Sequence, residues 1–130
     1  MSNETINPFA PLAGEQFLVL TTYRQSGEGV PTTVWFAEKD GKLYITTHQS
    51  TGKAKRIRNN PNVTLTASDA RGATHGPTIH AQARMLSTEE YPLAEGALQG
   101  KYGERFEQIL ARQGSEAEIG RTYIEVSPEQ

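Results

Sequence analysis

Between residues 17 and 47 the chain consists of short apolar and β-branched runs separated by turn chemistry, and this spacing constrains the fold more than any other feature. Lys39-Asp40-Gly41-Lys42 places an Asp-Gly pair between the run Val30 to Ala37 and the run Leu43 to Thr47. That pair is the strongest short-range signal for a two-residue hairpin, because both central positions want a positive φ. Upstream, Phe17 to Tyr23 is followed by Gln25-Ser26-Gly27-Glu28-Gly29, which predicts another hairpin. None of these runs is separated from the next by a helix-length crossover. Parallel strand-helix-strand units are therefore disfavoured and an antiparallel sheet is expected.

Downstream the period changes. Ser50 or Thr51 can cap a helix that Gly52 opens, with Ala54, Ile57 and Arg58 at helical spacing before Asn59-Asn60-Pro61 stops it. Asn62 to Ser68 and Thr78 to Leu86 alternate as strands, the second with Ile79, Ala81, Ala83 and Met85 on one face. The connector Asp69 to Pro77 is broken by Gly72, Gly76 and Pro77 and reads as a loop. Ser87 and Glu90 stand at capping-box spacing and predict a helix to about Gln99; Phe106, Ile109 and Leu110 then line a further helical face ended by Gly114. Asn7 to Ala13 reads as a loose helical turn, and Arg121 to Val126 as a closing strand with Thr122, Ile124 and Val126 against Arg121, Tyr123 and Glu125. One domain is expected over all 130 residues, folded as a small antiparallel barrel of six strands.

Composition narrows the chemistry. With no cysteine, disulfides, thiolate metal sites and cysteine nucleophiles are excluded. Thirteen basic against fifteen acidic residues argue against a general nucleic-acid or membrane-surface binder, and no apolar run reaches membrane-spanning length. The N-terminal sequence lacks signal-peptide order, so a cytoplasmic location is expected. His48, His75 and His80 have no carboxylate partner at metal spacing, and no nucleophile elbow is present, so neither a metal site nor a catalytic side chain is assigned. A hydrophobic fraction of 35% is low for a closed core and suggests completion by a partner subunit.

The stretch Ser50 to Arg58 concentrates Lys53, Lys55, Arg56 and Arg58, four of the thirteen basic residues, at one helix start. Unpaired N–H groups, the positive dipole end and these cations suit a phosphate; the same pattern suits a solvated basic face, and both readings stay open on residue pattern alone. It is not a Walker A loop, since Ala54 stands where Ser or Thr is required. Trp35 and Phe36 fit core or interface packing as well as ligand contact.

Taken in order, Phe17 to Arg24, Gly29 to Phe36, Leu43 to Thr47, Gly52 to Val63 and Gly76 to Arg84 resemble the pyridoxamine-phosphate-oxidase-like, flavin-binding split-barrel family. The basic helix ending in Asn-Pro is the most specific motif, and the pattern is most similar to small members that use the deazaflavin coenzyme F-420. The resemblance implies a mainly β, six-stranded antiparallel split barrel and a homodimer with two cofactor sites, each built from both subunits. It also implies that the backbone of Pro31, Thr32, Thr33, Val34 and Trp35 meets the isoalloxazine or deazaflavin ring, and that Thr46, Thr47, His48, Lys53, Lys55 and Arg56 hold the ribityl phosphate. The family's vitamin B6 oxidases carry a C-terminal substrate-binding extension that this chain, ending at Gln130, is not expected to have. The expected activity is hydride transfer from reduced F-420 to a small conjugated molecule, with FMN as the alternative cofactor. A flavin or haem carrier without turnover is a further alternative, as is a single-stranded nucleic-acid binder stacking bases on Trp35 and Tyr44, which the negative net charge opposes.

Overall fold

The structure, a computed structural model, describes residues 8–48, 51–106, 108 and 121–128. Strands β1 (Phe17–Tyr23), β2 (Gly29–Trp35), β3 (Ala37–Lys39), β4 (Lys42–His48), β5 (Asn62–Ser68), β6 (Ile79–Met85) and β7 (Arg121–Pro128) form one sheet in the order β2-β1-β5-β6-β7-β4-β3. Every pairing in it is antiparallel. Helix α1 (Gly52–Asn59) joins β4 to β5, and a 3-10 turn (Thr88–Glu90) leads into α2 (Tyr91–Tyr102). Asp40 and Gly41 take φ of 54° and 79°, the twin positive values that a two-residue hairpin of the expected kind requires.

The run expected as one strand from Val30 to Ala37 changes partner midway. Through Trp35 it pairs with β1, and from Ala37 it pairs with β4, so the sheet has seven strands where six were expected. The two edge strands are thus consecutive in the chain, which curls the sheet into a half-barrel split along the seam between β2 and β4. At the switch the backbone of Phe36 leaves the ladder, and α2 supplies the missing partners. The Tyr102 hydroxyl accepts the Phe36 N–H at 3.2 Å and lies 2.6 Å from the Phe36 carbonyl, to which Lys101 Nζ also donates at 2.8 Å. Buried backbone groups left without such partners would be costly.

Leu18, Leu20, Leu43, Ile45, Val63, Leu65 and Ile124 fill the concave side, and α1 closes one end with Ala54 and Ile57. On the convex side α2 lays Ala94, Leu98 and Tyr102 over Tyr44 and Tyr123. The alternation expected along β7 is therefore absent from its burial, because α2 covers the face that sequence assigns to solvent. Glu125 is tolerated there by its partners: the Tyr44 hydroxyl donates to it at 3.1 Å and Arg84 Nε at 2.9 Å. Burial first, then the Glu125 carboxylate, pushes the Tyr44 hydroxyl up to about 12.

The Ser87 and Glu90 capping box forms, but around the 3-10 turn; α2 starts at Tyr91, passes Gly100 and stops at Gly103, whose φ is 56°. Ile109, Leu110 and Gly114 of the expected further helix lie outside the described residues, as does Asn7 of the N-terminal turn, which is observed as Ala10–Leu12. Among the described residues no helix is long and apolar enough to cross a membrane.

Candidate functional site

The end of β4 and the start of α1 are tied by threonines. Thr51 caps the helix: its hydroxyl accepts the Ala54 N–H at 3.3 Å and donates to the His48 carbonyl at 2.8 Å, and it lies 3.3 Å from the hydroxyl of buried Thr47. A Cβ at Gly52 would stand 2.6 Å from Arg56 Nη1, so glycine lets the guanidinium fold back over the first turn. From there Arg56 Nε reaches the Thr22 hydroxyl on β1 at 2.6 Å. Lys53 is half-buried beside it. Burial, then the Arg56 charge, lowers its pKa. Among the described residues no carboxylate pairs with Lys53, Lys55 or Arg56. A positive helix end with two adjoining cations and no counter-ion fits a phosphate, whose charge would relieve the repulsion that the two cations exert on each other.

β2 reaches the same place by register. Thr22, where Arg56 lands, faces Val30, and Thr21 faces Pro31, so Pro31 and Thr32 lie beside the cradle. As an edge strand β2 keeps alternate N–H and C=O groups pointing away from β1, the flat array of hydrogen-bonding groups that a planar ring system requires. The side chains of Val34 and Trp35 do not join it. Val34 is core, and Trp35 packs between Phe17 (ring centroids 4.6 Å) and Tyr102 (5.0 Å), roughly 16 Å along the strand from Val30. Thr33 turns to the convex face, against Gly72 of the 69–77 loop.

Thr46 and His48 lie on the convex face of β4, opposite Tyr123 and Arg121 of β7. The Thr46 hydroxyl and Arg121 Nε and Nη2 are buried and have no hydrogen-bond partner. Sequence reasoning gives neither Arg121 nor Thr22 a place in a site, since an arginine opening a strand and one threonine among many carry no distinguishing signal. His75 is held by Glu15 at 2.8 Å, His80 is exposed on β6, and no cluster of metal ligands occurs among the described residues. A cavity of about 400 Å³ between Leu12, Phe36 and Lys101, and one of about 440 Å³ between Glu15, Asp69 and His75, contain no residue of the cradle.

The family profile described as Pyridoxamine 5'-phosphate oxidase matches residues 4–130. No curated protein matches the chain. Similar solved structures include a heme storage protein from Vibrio cholerae (TM-score 0.67, 19% identity, covering 90% of this chain and 84% of that one). An FAD-binding protein from Mesorhizobium loti (0.63, 15%, 92% and 84%) and General Stress Protein 26 from Bacillus anthracis (0.63, 18%, 94% and 86%) are also similar. At these identities the likeness is one of fold.

Proposed function

Because the chain belongs to the pyridoxamine 5'-phosphate oxidase family, we propose that it is an oxidoreductase that binds a phosphorylated flavin-type cofactor, coenzyme F-420 in preference to FMN, and transfers hydride to a small conjugated substrate. The observation that carries this reading is the pair of cations, Lys53 and Arg56, at a helix start with no carboxylate among the described residues to neutralise them. Lys53, Lys55 and Thr47 at the end of β4 would hold the phosphate, while Arg56 stays braced on Thr22; Thr46 and His48 of the same strand end face the opposite side of the sheet. The β2 backbone at Pro31, Thr32 and Thr33 would meet the ring. The cofactor, when bound, supplies hydride acceptance and donation; the chain supplies position and electrostatics.

The convex face of β2, β1 and β5, where Phe17, Val19, Thr21, Tyr23, Thr33 and Thr66 form a half-buried, uncharged surface, supports a site finished by a second copy. A homodimer joined there would cover it.

Titration of the purified protein with F-420 and FMN, followed by fluorescence and calorimetry, tests the reading. Tight F-420 binding at two sites per dimer, with reduction of a substrate panel by the reduced cofactor, is the expected result. Preference for FMN would make the protein a flavoprotein, cofactor binding without turnover would make it a carrier, and binding of neither would refute the proposal.

A further inference from the structure

We propose that Arg121 anchors a second oxyanion site, on the convex face where β4 ends and β7 begins, for a ligand bearing a carboxylate or phosphate group. Arg121 pairs with His48 across the two strands, and its Nε and Nη2 are buried and unpartnered. These are the two donors of one edge of the guanidinium plane. Together they form a fork matched to two oxygens of a single oxyanion.

Thr46 faces Tyr123, two residues along from Arg121 on the same face, and its buried hydroxyl also lacks a partner. A diagonal neighbour at that spacing is within reach of a long side chain, so fork and hydroxyl can serve one ligand. The surrounding protein groups are already committed. Glu95 accepts the Tyr123 hydroxyl at 3.0 Å, the Tyr91 hydroxyl donates to Thr122 at 3.0 Å, and no carboxylate pairs with Arg121 among the described residues. The Tyr123 hydroxyl also interacts with the Arg121 side chain, and the Nε and Nη2 fork is left for the two oxygens of a bound anion. The site is distinct from the cradle, because Thr22, which braces Arg56, points to the concave side while Arg121 lies on the convex one.

Thermal unfolding of the whole protein at fixed ionic strength, in chloride, acetate or phosphate, tests the assignment. Wild type is expected to melt several degrees higher in acetate and phosphate than in chloride, and Lys53→Ala to keep the acetate response. Arg121→Met should melt higher than wild type in chloride, since it removes a buried unpaired charge, and show no acetate response. Arg121→Lys, which cannot form the fork, should lose at least half of that response and serves if the methionine variant does not fold.

Calorimetry then identifies the source of the oxyanion. If Arg121→Lys weakens FMN about ten- to hundredfold but leaves riboflavin unchanged, the fork holds the cofactor's own phosphate; if FMN is unaffected, it holds a separate ligand. A wild-type melting temperature indifferent to acetate, or an acetate response as large in Arg121→Lys as in wild type, would overturn the proposal.

Discussion

Replacing Tyr102 by Phe tests whether the strand switch at Phe36 is held by side chains of α2. The substitution keeps the ring and its edge contact with Trp35 but removes a hydroxyl that accepts the Phe36 N–H and also lies 2.9 Å from the Gln16 carbonyl. The Phe36 carbonyl keeps Lys101, so two backbone groups lose their partner, beside a residue only 1% exposed. A buried polar group left unsatisfied costs about 1–3 kcal/mol. Allowing for partial hydration of Gln16, the variant should lose about 2–4 kcal/mol of unfolding free energy, or roughly 8–16 °C in Tm. Urea unfolding followed by the single tryptophan, Trp35, which touches the altered residue, measures this directly. Tyr23→Phe is the control, since that hydroxyl has no hydrogen bond among the described residues; it should change stability by less than about 0.5 kcal/mol. A Tyr102→Phe loss no larger than the control's would refute the account of the switch.

Lys53→Ala should weaken F-420 or FMN binding by about 1.5–3 kcal/mol, the worth of a charged hydrogen bond, with unfolding midpoint nearly unchanged; titration and urea melts check the two halves. Gly72→Ala meets both a φ of 87° and a Cβ placed 2.6 Å from the Thr33 hydroxyl, and should cost about 1–3 kcal/mol. Pairing it with Thr33→Ala should restore only the steric part, which a double-mutant cycle separates from the backbone part. Glu90 is held down at about 2 by the Arg84 guanidinium first and the Ser87 N–H next. Its folded pKa lies below the unfolded one, so its contribution is complete above the ordinary carboxylate range and fades as pH falls toward 2. Glu90→Gln should flatten the stability-against-pH curve between about pH 4.5 and 2, and an unaltered acid slope would count against the pairing.

What the sequence makes legible follows the range over which each feature is decided. The Asp40-Gly41 turn and the helix cap are decided within four residues, by the φ values that glycine and aspartate tolerate and by a hydroxyl reaching the next turn; the turn is found as read, and of the two caps offered, Ser50 or Thr51, it is Thr51 that caps. The clustering of cations at the start of α1 is legible for the same reason: they share about one helical turn and Gly52 precedes them. The strand switch is not, because Trp35-Phe36-Ala37 has no local break, and the partners of Phe36 come from Tyr102, 66 residues on. Burial of Tyr123 and Glu125 depends likewise on where α2 docks, which alternation along β7 does not encode. Thr22 and Arg121 acquire their roles only when β1 passes under α1 and β7 pairs with β4. The cations of the cradle are thus set by composition over a few residues, but their orientation depends on long-range pairing. A substitution in β1 or β7 should therefore alter ligand affinity without touching any residue of the basic motif.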